Sequence, residues 1–311
     1  MKYRQLGNTG LKVSEIGFGA WQLGNARDWG KMSDKQAVKL VHEALDQGCN
    51  FFDTAPNYGG GMSESILGEA LHGKRTDVVI NTKFGHQPDH TVNFDPKKIR
   101  SSVEGSLRRL KTDYLDSILL HNPPFECLTG NTEHFMELEA LKGEGKIRAF
   151  GASIDSAKEM EALLDFTSSE VIEVMFNIFH QEPRQAFKKT ADRNVGLIVK
   201  VPLDSGWLSG KYEETSVFTD IRSRWGGEQL KKRAELLPAV KEVLEPGETM
   251  VQLALRYILH YQEVSTVIPG AKNLEQLTEN VSATAASISA DKVKKLEMMW
   301  EKELQMNPIG W

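Results

Sequence analysis

Cysteine is nearly missing from this chain: Cys49 and Cys127 are the only two among 311 residues. A scaffold stapled by disulfides and a cysteine-built zinc cluster are thereby excluded. Cys49 precedes a buried-looking strand and Cys127 lies in a loop, so both read as free thiols and neither as a nucleophile. Of 8 histidines none falls in His-Glu-x-x-His or a comparable ligand spacing, so no metal site is expected. No Gly-x-Ser-x-Gly elbow is present, which speaks against a serine hydrolase of the Ser-His-Asp kind. No Gly-x-Gly-x-x-Gly opens a helix, which counts against a dinucleotide-binding open sheet. No run approaches the ~18 apolar residues of a membrane span. The start, Met1-Lys2-Tyr3-Arg4-Gln5-Leu6, lacks the apolar stretch of a signal peptide, so the expectation is a cytoplasmic protein with no membrane association. Positive charge is not in excess either: 38 Lys and Arg face 43 Asp and Glu, a net of -5, which argues against a nucleic-acid partner. Lys231-Lys232-Arg233 and Lys188-Lys189 then read as solvated helix faces.

What remains is an ordinary globular composition, 40% hydrophobic and 26% charged, with ample material for a core. Length alone allows two domains, but α/β barrels exceed the usual domain size as one unit. Strand-like apolar runs recur at Ile16-Gly17-Phe18, Phe51-Phe52, Val78-Val79-Ile80, Ile118-Leu119-Leu120, Ile147 to Phe150, Val171 to Val174, Leu197-Ile198-Val199 and Ser265 to Ile268. Amphipathic stretches separate them. Ser33 with Gln36, Ser156 with Glu159 and Thr249 with Gln252 read as capping boxes, and Asp95-Pro96 as a cap before a first-turn proline. Leu40, Val41, Ala44 and Leu45 mark one buried helical face that Gly48 ends. Eightfold strand–helix alternation predicts one (β/α)8 barrel over residues 1–311, with a doubly wound open sheet as the competitor. The residues flanking Gly7-Asn8-Thr9-Gly10 predict a hairpin that closes the barrel floor. The long stretch from Leu208 to Lys231 reads as a functional loop over the opposite rim.

Asp53, Lys83 and His121 stand at or just past the ends of separate apolar runs, with Tyr58 in the turn after Asp53. In an alternating strand–helix chain that is where catalytic residues collect. A phenol that gives up a proton, a lysine that stabilises its phenolate, a carboxylate that holds the lysine and a second hydrogen-bonding ring form a working set for reducing a carbonyl.

The segment Phe52-Asp53-Thr54-Ala55-Pro56-Asn57-Tyr58-Gly59, followed by Ser63-Glu64, closely resembles the signature of the aldo-keto reductase superfamily. Thr82-Lys83, Leu120-His121-Asn122 and Ile268-Pro269-Gly270 with Gln276, Glu279 and Asn280 add to the likeness, which runs in order from Leu6-Gly7 to Asn280. Leu208-Ser209-Gly210-Lys211-Tyr212 is most similar to the bacterial branch that also resembles potassium-channel β subunits. The resemblance implies an eight-stranded barrel that binds a nicotinamide cofactor without a Rossmann fold. It implies Tyr58 as general acid, Lys83 lowering the pKa of Tyr58, Asp53 orienting Lys83, and His121 orienting the carbonyl. Ser153, Glu173 and Asn177 fall where the family surrounds the nicotinamide, and Trp21 stands among the cofactor contacts; Trp21 and Trp225 are also candidate walls of the substrate pocket. Glu173 departs from the family's usual glutamine, Ile154 from an asparagine, and Lys200 from a stacking aromatic ring. Lys200 is expected to meet a phosphate or to pair with Glu173. Pro202, Leu203, Ser205 and Lys211 are similar to the loop that covers the pyrophosphate. Gly270 and Lys272 at a helix start favour NADPH, with Gln276, Glu279 and Asn280 holding the adenosine. The expected activity is NADPH-dependent reduction of an aldehyde or ketone, a small-molecule substrate, with no obligatory protein partner. A redox-sensing regulatory subunit that binds NADPH and a dehydrogenase acting on polyols or sugars remain as alternatives.

Overall fold

The computed structural model describes residues 1–311 throughout. Two short antiparallel strands come first, β1 (Tyr3–Gln5) and β2 (Lys12–Ser14). Eight parallel strands follow, each paired with the next in chain order: β3 (Phe18–Gly19), β4 (Phe51–Asp53), β5 (Val79–Phe84), β6 (Leu115–His121), β7 (Ile147–Ile154), β8 (Val171–Met175), β9 (Gly196–Lys200) and β10 (Val264–Val267). The two ends of this sheet meet. Ile16 bridges Val267 and Gly19 bridges Gly270, both in parallel, and the Gly17 amide donates to the Val267 carbonyl at 2.8 Å. At Gly19 an added Cβ would lie 2.7 Å from the Ile268 carbonyl, so only glycine lets the seam close. The order contains no reversal, and the (β/α)8 expectation holds against the open sheet.

After a single turn, α1 (Ala26–Trp29), the barrel helices are α2 (Asp34–Asp46), α3 (Met62–Ala70), α4 (Ile99–Leu110), α5 (His134–Gly143), α6 (Ala157–Phe166) and α7 (Phe187–Asp192). The last strand crossings carry α8 (Gly227–Lys241) and α9 (Met250–Leu259), then α10 (Leu274–Ser282) and α11 (Ala290–Glu303). α8 and α11 stand outside the repeat. Helix α2 shows why these residues coil. Ser33 Oγ accepts from the Gln36 amide at 3.3 Å while Gln36 Oε1 accepts from the Ser33 amide at 3.1 Å, which satisfies two amides that the first turn leaves open. Its buried face is Ala37, Leu40, Val41 and Ala44, and Gly48 at φ 88° lets the chain turn away. Burying Leu40 and Val41 contributes about 1.5–3 kcal/mol each. The box at Ser156 is displaced by one residue: the Glu159 carboxylate takes the amide of Asp155, not that of Ser156.

Inside the barrel the lower layer is apolar, built from Phe51, Val79, Leu119, Ala149, Val171, Ile198 and Ile268 together with Leu6, Leu11 and Val13 of the hairpin. The hairpin therefore plugs the floor, as expected. Its Asn8 amide donates to the Asn194 carbonyl at 2.8 Å, just before β9. Above this layer the interior turns polar, with Asp53, Asn81, Lys83, Ser117, Ser153 and Glu173 all buried between the apolar floor and the carboxyl-end mouth. Chemistry is confined to that mouth. Both cysteines are free and buried, and no helix is long and apolar enough to cross a membrane.

Candidate active site

Strand register assembles the polar layer. Asp53 on β4 lies opposite Asn81 on β5, and Asn81 opposite Ser117 on β6. Asn81 Nδ2 donates to Asp53 Oδ1 at 2.7 Å, and Ser117 Oγ donates to Asn81 Oδ1 at 2.6 Å. Lys83, two residues along β5, faces the same side. Its Nζ lies 2.6 and 2.7 Å from the two Asp53 oxygens, 3.1 Å from the Thr54 carbonyl and 3.4 Å from Glu173 Oε2. The lysine is fully buried between two carboxylates. Burial alone would lower its ammonium, but Asp53, Glu173 and Tyr58 hold it above its ordinary value. Burial, with Glu173 adding to it, raises Asp53 to about 7 against the opposing pull of Lys83.

Tyr58 follows in a tight turn made by Gly59, Gly60 and Gly61 at φ 58°, 65° and 94°. A Cβ on Gly59 would stand 2.5 Å from the Gly24 carbonyl, so side chains are refused on conformation and on space. The turn sets the phenol ring 5.3 Å from Lys83 Nζ, stacked on Trp21 at 5.7 Å and edge-on to His121 at 5.9 Å. The expected direction of its pKa is corrected here. Burial outweighs Lys83 and holds the phenol above its ordinary value, so Tyr58 stays protonated. His121, ending β6, is held well below its usual range by burial and by the charges of Lys83, His86 and Lys200, and is a neutral imidazole. Its Nδ1 is buried and has no partner within the protein.

A cavity of about 350 Å³ runs from Asp53, Tyr58 and His121 to the start of α10. Trp21, Glu173, Lys200, Pro202, Leu203, Ser205, Lys211, Gly270, Lys272, Gln276, Glu279 and Asn280 all line it, whereas Ser153 lies buried beneath the wall and Lys83 behind Tyr58 and Asp53. Lys200 does not pair with Glu173. Its Nζ meets Asp155 at 3.0 Å, Asn122 at 2.7 Å and Ser153 Oγ at 2.8 Å, while Glu173 accepts from Ser153 at 2.9 Å and faces Lys83. Asn177 is a structural residue: its Nδ2 donates to the Val201 carbonyl and its Oδ1 accepts from the Phe179 amide. Trp225 is no cavity wall; it is buried over Arg233, 4.2 Å from the guanidinium. Among the lining residues that escaped the sequence reading are Arg222, His86 and Trp311, with Gln22 and Trp29 beside them. Nothing in their local pattern marks them, since each reaches the cavity through long-range packing.

Residues 15–301 match the aldo/keto reductase family. Across 96% of this chain and 98% of its own length, "NADH-specific methylglyoxal reductase" of Escherichia coli is 32% identical. "Probable voltage-gated potassium channel subunit beta" of Arabidopsis thaliana is 32% identical over 91% of each chain. The solved "aldo-keto reductase AKR11C1 from Bacillus halodurans (holo form)" superposes with a TM-score of 0.81 at 30% identity and 96% coverage of both chains. The chain belongs to the aldo/keto reductase family and is an oxidoreductase, of a family that uses nicotinamide cofactors.

The residues present fit such a cofactor. Lys200, Lys211, Arg222 and Lys272 give the cavity a cationic side suited to phosphates. At its far end Asn273 caps α10, accepting from the Gln276 amide at 2.9 Å, and leaves a helix start facing the site. At its near end stands the unpartnered His121 nitrogen. Lys272 is exposed at the cavity edge with no carboxylate in ion-pair range; partial desolvation and Arg222 lower its ammonium, opposed by Asp220.

Proposed function

We propose that this protein reduces an aldehyde or ketone to the alcohol with NADPH, Tyr58 acting as general acid. The observation that carries the reading is the convergence of Tyr58, the Asp53–Lys83 pair and neutral His121 at one end of a cavity whose other end is a cationic helix start. When bound, the reduced nicotinamide supplies a hydride to the carbonyl carbon. The protein's own work is on the oxygen. Tyr58 keeps its proton until the oxygen becomes strongly basic, then gives it up, and the Lys83 charge stabilises the phenolate that remains. Asp53 and Glu173 hold Lys83 in place and charged. His121, as an imidazole, donates a hydrogen bond that orients the carbonyl oxygen.

In this reading Pro202, Leu203, Ser205 and Lys211 cover the pyrophosphate, Gln276, Glu279 and Asn280 hold the adenosine beside Gly270, and Trp21, Glu173 and Lys200 surround the nicotinamide, with Ser153 bracing them from below. Lys272 takes the 2′-phosphate; its lack of a carboxylate partner and the nearby Arg222 support NADPH over NADH. A phenol that stays protonated is in the form the reductive direction starts from, and the same residues would serve polyol or sugar oxidation in reverse. The complete catalytic set favours turnover of a small carbonyl compound over a purely regulatory role, and no obligatory protein partner is needed.

The test is a panel of aldehydes and ketones with NADPH and NADH, in which cofactor oxidised is matched against alcohol formed. Stoichiometric alcohol with NADPH preferred is expected. Tight NADPH binding with no turnover on any member would favour the sensing role instead.

A further inference from the structure

Arg233 lies on α8, outside the barrel repeat, yet is 1% exposed. Its Nε donates to Asp204 Oδ2 at 2.7 Å, and its Nη2 donates to Asp204 Oδ1 at 3.3 Å and to the Gly310 carbonyl at 3.0 Å. Trp225 covers the guanidinium. One buried cation thus joins two segments that otherwise belong to different parts of the chain. The first is the loop after β9, where Val201, Asp204 and Ser205 take φ 53°, 45° and 52°. Left-handed backbone at residues bearing side chains costs energy and persists only where the surroundings impose it. The second is the C-terminal tail. Trp311 Nε1 donates to Ser205 Oγ at 3.0 Å, and its ring lies 6.3 Å from that of Trp21, with Arg224 4.3 Å from its centroid. Trp311, Trp21, Ser205 and Tyr58 all line the same cavity.

We propose that Arg233 is a positioning residue that latches the loop after β9 to the tail, so that the loop lying over the cofactor brings Trp311 against Trp21 as the outer wall of the substrate pocket. The inference rests on the reading of the cavity as a cofactor and carbonyl site. Loop and tail move as one body. Cofactor binding and assembly of the substrate wall are therefore coupled, and loosening the latch weakens both without touching the groups that transfer the proton.

The experiment uses the full chain with NADPH and 4-nitrobenzaldehyde as probes. Arg233→Lys keeps a cation for Asp204 but lacks the fork that also reaches Gly310. Trp311→Phe keeps a ring and loses only the bond to Ser205. Each variant should raise the NADPH Kd and the aldehyde KM by about 2- to 12-fold, the range for one hydrogen bond, while kcat stays within about threefold. The Arg233→Lys/Trp311→Phe double variant should be no worse than the more severe single one, because both break the same latch. Losses that multiply in the double variant, or a Trp311→Phe protein with unchanged NADPH affinity, would overturn the proposal. Trp311→Phe leaves the buried Arg233–Asp204 ion pair intact, so its result stands even where Arg233→Lys fails to fold. Absence of aldehyde turnover in the wild type would sink the reductase reading, whereas the NADPH affinities still decide the latch.

Discussion

Replacing Lys83 by methionine removes the one cation that stands between two buried carboxylates. Lys83 is 0% exposed and touches both oxygens of Asp53 at 2.6 and 2.7 Å, with Glu173 at 3.4 Å. Methionine fills much of the volume but leaves both acids uncompensated, and breaking a buried pair in this way costs about 3–5 kcal/mol. With unfolding entropy near 2.1 cal/mol/K per residue, a chain of 311 residues should then lose roughly 5–8 °C in Tm. The loss should depend on pH with a definite sign. Asp53 is raised to about 7 in the folded protein, against about 3.9 unfolded. A carboxyl displaced upward binds its proton more tightly when folded, so its contribution is most favourable below the unfolded value and is lost as pH rises through the folded one. Without Lys83 the folded value moves higher still, and the window of decline extends further into the alkaline range. Thermal melts of wild type and Lys83→Met across pH 5 to 9 should show the gap widening with pH, with Lys83→Met/Asp53→Asn recovering part of it at the alkaline end. A gap that is absent, or constant across that range, would refute the electrostatic account of this pair.

Glu173→Gln should keep the hydrogen bond with Ser153 while removing the charge that helps raise Asp53, so the decline in wild-type stability near pH 7 should shift toward acid in melts over the same range. Lys272→Ala should weaken NADPH by about 10- to 150-fold, equivalent to 1.5–3 kcal/mol for a charge-assisted contact, and leave NADH nearly untouched in direct titrations; equal losses would remove the basis for the NADPH preference. Lys200→Ala should weaken the two cofactors alike, because Lys200 is anchored by Asp155, Asn122 and Ser153 at the end that both share. A loss confined to NADPH would reassign the phosphate contact to Lys200.

Local pattern made the scaffold legible. Each apolar run that reads as a strand became one, because a strand buried between barrel interior and helices is apolar along most of its length, polar residues being confined to the upper interior layer. The positions of Asp53, Tyr58, Lys83 and His121 were legible for the same reason, each being tied to a strand end or to the turn after it. Pairings between distant elements were not. Lys200 was assigned to Glu173 or a phosphate, but adjacent register places Ser153 beside Glu173, and Asp155 beyond β7 is the carboxylate that Lys200 meets. The direction of the Tyr58 shift was misread because the sequence shows which charges are near, not how far the desolvation of a partly buried ring outweighs them. Asn81 and Ser117, which brace Asp53, look like ordinary strand residues until register sets them side by side. Trp311 and Arg222 carry no local signature at all, and Trp225, which looks like a loop aromatic, is enclosed by Arg233 and Phe218.

The central claim, that Tyr58 protonates the carbonyl oxygen, is tested most directly by comparing Tyr58→Phe with wild type in single-turnover oxidation of bound NADPH by an aldehyde. A fall of at least ~100-fold in the rate, with the NADPH Kd unchanged, is predicted, since phenylalanine keeps the ring against Trp21 and His121 but has no proton to give. A Tyr58→Phe protein that retains most of the wild-type rate with several aldehydes would contradict the mechanism.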